Sequence, residues 1–239
     1  MKMSELPLPQ GVELHDGPSP EQTAEALADD VAKVLRRRLK HARNATLVVS
    51  GGSTPVPFFQ ALSGKTLDWG RVVVVLADER WVPDTHPDSN AALLRAHLLQ
   101  DCAACAQFLQ MEVGEGDPET ALPAIERQLA PLALPVDVLV LGMGNDGHTA
   151  SLFPDAPELA QAMAADNECR VALMTPPSQS RKRITLTPPV LAGARFTALH
   201  LKGQEKLDTL ATALADLDDP MAMPIRAFLK PGLEIYWSP

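Results

Sequence analysis

Aromatic residues are scarce: six Phe, three Trp and one Tyr make up only 4% of a 239-residue chain. The stacking platforms on which single-stranded nucleic acids bind are therefore not expected. A basic excess is missing as well. The formal net charge is −9, the opposite of what a surface tracking a phosphate backbone requires. A small anionic ligand remains compatible with this balance, because a few cations and helix N-termini can make a local positive pocket. Three cysteines supply no disulfide framework, which fits a reducing compartment. Cys102 and Cys105 form a C-x-x-C pair without the second pair a zinc site needs, and the segment does not open a helix after a strand as a redox motif would. They are read as two ordinary buried or half-buried thiols. No apolar run approaches the ~20 residues of a membrane span. Residues 1–10, MKMSELPLPQ, are proline-broken and acidic, without the apolar centre of a secretory signal. The expectation is a cytoplasmic protein that binds neither nucleic acid nor membrane.

What is present is ordinary for a soluble globular protein: 46% apolar and 21% charged residues. The length suits one domain over residues 1–239. Strand and helix patterns alternate along the chain. Residues 20–39 repeat Leu27, Val31, Val34, Leu35 and Leu39 on one helical face behind a Ser19 cap, and the cations of residues 33–40 are that helix's solvated side. Residues 45–50, 72–77, 136–141, 169–174, 184–187, 198–202 and 231–237 read as strands. Helices are expected from Pro57, after the Asp88-Ser89-Asn90 cap, over 118–132, from Pro154 through 165, and from Gly203. The fold class is α/β with a mostly parallel sheet.

The chain is organised around residues 136–154, VDVLVLGMGNDGHTASLFP. A short, β-branched apolar run ends in a turn holding Gly142, Gly144 and Gly147, with Asp146 and His148 among them. Open α/β sheets place their chemistry where such a strand ends. A second strand, 45–50, runs into Gly51, Gly52, Ser53 and Thr54 and then a helix, which presents unpaired N–H groups to an anion. The loop lacks the G-K-[ST] of a nucleotide-binding loop, and Pro55 replaces the last glycine of a G-x-S-x-G nucleophile elbow. A third strand ends in Asp78, Glu79 and Arg80, either a solvated cap or a functional cluster. Lys206 sits in the first turn of a helix, where the helix dipole disfavours a cation, a conflict that an anion nearby would resolve. Residues 142–147 match G-x-G-x-x-G, but Pro154 would stop the receiving helix and ionisable groups crowd the turn, so a dinucleotide is not expected.

Taken together, GMGNDGHTASLFP, SGGSTP at 50–55, ADERWVP at 77–83, DSN at 88–90, RITLT at 183–187 and KGQEK at 202–206 resemble the 6-phosphogluconolactonases of the glucosamine-6-phosphate isomerase superfamily. The resemblance implies a three-layer α/β/α, modified Rossmann-like fold of the sugar-phosphate isomerase and deaminase type. It implies hydrolysis of 6-phospho-D-glucono-1,5-lactone to 6-phosphogluconate in the pentose phosphate pathway, with no metal and no organic cofactor. The partner is then a small phosphorylated sugar lactone, handled by a monomer or small homo-oligomer. The related glucosamine-6-phosphate deaminase loop reads DGHIAFNEP; here Phe153 stands in place of its Glu, which favours the lactonase. Asn145 stands where Glu or Pro is frequent.

For such a reaction His148 is the natural general base, since an imidazole's ordinary pKa of ~6.5 lies near working pH. Asp146 or Asp78 would orient it, and Arg80 would bind substrate or stabilise developing negative charge. Gly51, Gly52, Ser53 and Thr54, with Arg183 and Lys206, would hold the phosphate. Arg183 is preferred to Arg181 because it directly precedes ITLT. Ser53 as covalent nucleophile is the lesser alternative, and a non-catalytic sugar-phosphate sensor the reading from another class.

Overall fold

The computed structural model describes residues 6–113 and 116–239. Residues 1–5, half of the segment read above as lacking a secretory signal, lie outside it. The chain opens with β1 (Glu13–Asp16) and α1 (Pro20–Leu39), followed by β2 (Ala45–Val49), α2 (Val56–Ser63), β3 (Val72–Leu76) and β4 (Asp78–Arg80). Next come α3 (Asn90–His97), β5 (Gln107–Phe108), α4 (Pro118–Leu129), β6 (Val138–Leu141) and the short α5 (Leu159–Ala162). The chain finishes with β7 (Val171–Met174), β8 (Arg183–Leu186), α6 (Pro188–Leu191), β9 (Phe196–Lys202), α7 (Gln204–Leu214) and β10 (Leu233–Ser238). Three of the helices start on side-chain caps: Ser19 accepts from Gln22 N, Ser89 from Ala92 N and Asp117 from Thr120 N.

Seven strands form a parallel sheet in the order β1-β10-β9-β6-β2-β3-β5. Every residue of β2 and β6 is buried, which is why both read as unbroken apolar runs rather than alternating ones. From β2 the chain steps to β3 and β5 on one side, while β6, β9 and β10 lie on the other. The order therefore reverses between β2 and β6, which pair through Leu47↔Val138 and Val49↔Val140. A crevice outside the carboxyl ends of the strands at this point is where open α/β sheets bind ligands. α1 packs against α2, and α7 lies against β9.

A second, antiparallel sheet, β4-β8-β7, stands over the end of β3. It is stitched there by Ala77, whose N–H donates to Val49 O at 2.8 Å and whose carbonyl accepts from Leu186 N at 2.8 Å. At the opposite end of the main sheet, buried Asp137 accepts from Thr46 N at 2.9 Å and meets Arg38 at 2.8 Å and Arg195 at 3.3 Å.

Some expectations change. The helix after Pro154 is only the four residues of α5, because Pro154 and Pro157 bring no N–H and Asn167 Nδ2 binds the carbonyl of Ala162 at 2.9 Å. α4 ends at Leu129 rather than 132. The Cys102 and Cys105 thiols are exposed, not buried. They lie three apart in a 3-10 turn, whose period sets both on its outer side while Ala103 faces inward. The edge strands β1 and β5 carry no apolar run that would have announced them.

Candidate active site

The turn after β6 is closed by Gly147 N donating to Gly144 O at 3.1 Å and Gly144 N donating to His148 O at 2.8 Å. This folds His148 back onto Asp146, whose Oδ1 lies 2.6 Å from His148 Nδ1 and accepts the His148 backbone N–H at 3.0 Å. An ionised Asp146 keeps the proton on Nδ1 and leaves the lone pair on Nε2, the arrangement a general base needs. Burial pushes the Asp146 pKa up, but the hydrogen bonds and charge of His148 outweigh it and the net shift is downward. Gly144 is required by packing, since a Cβ there would lie 2.1 Å from His148 Nδ1 and 2.6 Å from Asp146 Oδ1. The far side of the imidazole is covered by Phe153, ring centroids 4.1 Å apart.

His148 opens onto a cleft of about 320 Å³ at the β2/β6 reversal. The loop after β2 forms a neighbouring wall with Gly51, Gly52, Ser53 and Thr54. Gly52 holds φ at +105°, a turn in which side-chain-bearing residues are strained. The loop leads into α2, whose N-terminus has no side-chain cap; Val56 N donates to Ser53 O at 3.4 Å and Pro57 carries no N–H, so neither offers a donor to an anion.

Cations close the cleft from three further elements. Arg80 on β4 and Arg183 on β8 are directly opposed across the antiparallel pair, and both line the cleft. Like charges in this position repel. Each also has a buried Nε with no hydrogen-bond partner. Arg183 is held by Gln179 Oε1 at 2.9 Å and lies over the Phe153 ring at 5.9 Å. Burial, then the neighbouring charge of Arg80, lowers its pKa. Arg80 Nη1 donates to Asp88 O at 2.6 Å. Lys206, from the first turn of α7, donates to Asn145 Oδ1, and burial lowers its pKa against the pull of Glu205 and Asp146. Two arginines and a desolvated ammonium lining one cleft are groups that an anion would pair with.

The remaining sequence candidates separate by what they touch. Asp78 lines the cleft, but its carboxylate accepts from Ser151 Oγ at 2.6 Å rather than from the imidazole; Asp146 is the residue in contact with His148. Glu79 is turned away from the cleft and fully buried. It takes hydrogen bonds from Arg80 N, Asn90 N, Ala91 N and Ser89 Oγ at 2.7–3.1 Å, so it anchors the start of α3. Arg181 pairs with Asp88 at 3.0 Å and is not among the cleft residues. Gly51, Gly52, Ser53, Thr54, Asp78, Arg80, His148, Arg183 and Lys206 thus share one cleft, with Asp146 behind the imidazole.

Ser151, Asn90, Gln179 and His200 also line the cleft and were not singled out from sequence. Asn90 had a signal: it follows Ser89, which already serves as the cap, so the segment carries one polar residue more than the helix start needs. Its Nδ2 donates to Asp78 O at 2.9 Å. The group among the described residues with metal-ligand spacing is Glu13, His15 and Glu234, with donor atoms within 4.8 Å of one another. It lies on β1 and β10, away from the cleft.

Residues 18–237 match the family model described as glucosamine-6-phosphate isomerases/6-phosphogluconolactonase. A 6-phosphogluconolactonase of Pseudomonas aeruginosa is 49% identical over 239 residues, covering all of both chains. The crystal structure of a 6-phosphogluconolactonase from Shewanella baltica superposes with a TM-score of 0.92 at 37% identity, covering 96% of this chain and 99% of that one. A monomeric glucosamine-6-phosphate deaminase has the same fold, with a TM-score of 0.78 at 16% identity over 95% of this chain and 97% of its own.

Proposed function

The chain belongs to the family of glucosamine-6-phosphate isomerases and 6-phosphogluconolactonases, and from that premise we propose that it hydrolyses 6-phospho-D-glucono-1,5-lactone with His148 as general base. The observation that carries this reading is the His148–Asp146 pair opening onto the same cleft as Arg80, Arg183, Lys206 and the 51–54 loop. A base and an anion cradle in one crevice suit a substrate with an electrophilic carbonyl at one end and a phosphate at the other.

In this reading the cradle takes the phosphate and fixes the lactone by remote binding. Arg80, opposed to Arg183, belongs with the phosphate rather than with the carbonyl. His148 Nε2 removes a proton from water as its oxygen bonds to C1. The tetrahedral intermediate then expels the ring oxygen, which takes the proton back from the imidazolium, and the free acid ionises. Asp146 steadies the charged ring meanwhile. Both sheets contribute to the one cleft, so the whole chain acts as a single catalytic domain.

The deaminase reading is disfavoured by Phe153. It occupies the position of the deaminase loop's Glu and packs on His148, so no carboxylate stands there to assist ring opening. Proton release after adding freshly made 6-phosphogluconolactone tests the proposal. The expected result is a wild-type rate far above buffer, falling about 10²–10⁴-fold in His148→Ala, with no ammonia released from glucosamine 6-phosphate. A wild-type rate equal to buffer would defeat the enzyme reading and leave the sensor. Full activity in His148→Ala would show the base misassigned.

A further inference from the structure

His200 lies near the carboxyl end of β9, is 5% exposed, and lines the cleft. No step above uses it. Its Nδ1 is buried without a hydrogen-bond partner. Ser50, which opens the anion loop, is 9% exposed and lines the same cleft with its Oγ equally unpartnered. Buried polar atoms almost always find partners, because leaving one unpaired forfeits its hydration. Two such groups in one crevice wall mark places where a ligand completes the bonding.

Position says which end of the ligand they meet. The His200 ring stands edge-on to Phe58 at 6.2 Å, and Phe58 belongs to α2, the helix that the 51–54 loop opens. On the other side, β9 runs through Gly203 directly into α7, which supplies Lys206. His200 therefore packs on the helix that follows the anion loop and lines the same cleft as Lys206. We propose that His200, together with Ser50, donates a neutral hydrogen bond to the phosphate of the substrate and so is a specificity-determining residue for the phosphorylated end.

A neutral ring carries one N–H. That one proton, on whichever ring nitrogen faces the bound phosphate, is the one a ligand meets. Burial holds the His200 pKa down to about 4, so the ring donates without adding a further charge to the Arg80, Arg183 and Lys206 cluster. A hydroxyl and an imidazole N–H are both donors that suit phosphate oxygens, which only accept when fully ionised.

The proposal rests on the lactonase reading only for the identity of the ester, so inorganic phosphate is the first probe. In ¹⁵N-labelled full-length protein, the His200 ring nitrogens should shift as phosphate is titrated in. His200→Leu, close in volume, should weaken phosphate binding by calorimetry and raise KM for the phospholactone about tenfold, with kcat within about threefold. His200→Gln, whose Nε2 reaches a similar place, should recover most of the loss. A ring signal unmoved at saturating phosphate overturns the proposal, as does a His200→Leu protein within twofold of wild type in both phosphate affinity and KM. If the Leu variant does not fold, the ring signal and His200→Gln decide alone. Phosphate-dependent shifts without lactone turnover would uphold this inference while sinking the activity; turnover with an indifferent His200 would do the reverse.

Discussion

Asp146 and Lys206 are shifted in opposite senses, and each shift has a consequence in pH. The Asp146 pKa lies below its ordinary 3.8, so the pairing with His148 contributes in full above that value and is lost only as pH falls through the lowered one. Loss of activity in mild acid is therefore not assigned to protonation of this carboxylate. Asp146→Asn should lower kcat about 10²–10⁴-fold with little change in KM, because the ring loses its orienting charge while the phosphate end is untouched; steady-state kinetics checks this. Lys206 has its pKa lowered from 10.5 by burial, so its ammonium is lost early as pH rises. Phosphate affinity in the free enzyme should weaken below pH 10.5 and should stay flat there in Lys206→Arg, whose guanidinium keeps its charge. Calorimetric titrations across alkaline pH would show it.

The elements that matter are turns, and they divide the legible from the illegible. His148, Asp146 and the 51–54 loop could be read from sequence because each follows a strand buried on both faces, and such strands announce themselves as β-branched apolar runs. Ser151 and His200 could not. Ser151 meets Asp78 across 73 positions of chain, and His200 sits inside a strand where an imidazole reads as core. The choice between Asp146 and Asp78 was equally hidden, because it depends on how the glycine turn folds back. Arg80 and Glu79 adjoin in sequence yet face opposite ways, as alternation along β4 requires. The same turn geometry yields a test. Gly144→Ala should cost about 10²-fold in kcat/KM, since its methyl would intrude on both His148 and Asp146 and shift the base from its line of attack. Circular dichroism of the variant should match wild type; unaltered activity would mean that the pair can relocate freely.

At the scale of the molecule, stability and chemistry sit at opposite ends of the parallel sheet. Asp137, 3% exposed, ties β2 and β6 to Arg38 and Arg195 at the end away from the cleft. Asp137→Ala should destabilise by about 2–4 kcal/mol in urea titrations, because it strands partly buried guanidinium groups, while kcat and KM remain as in wild type. The all-parallel order of the main sheet was legible only as a fold class, since local patterning carries no record of which strands become neighbours. Two strands of the antiparallel sheet were read from sequence, but not β4 or their pairing, which brings Arg80 opposite Arg183. That opposition has a practical consequence for anyone handling the protein. Two guanidinium groups opposed across the β4–β8 pair repel each other, and a multivalent oxyanion bound between them would offset the repulsion. Melting temperature should climb with sulfate or phosphate concentration, by the equivalent of about 2.7 kcal/mol at one hundred times the dissociation constant, whereas equal ionic strength from chloride should do far less. Stability quoted for this chain should thus be partly a property of its buffer, and material purified from phosphate should carry a competitor for the proposed substrate cleft.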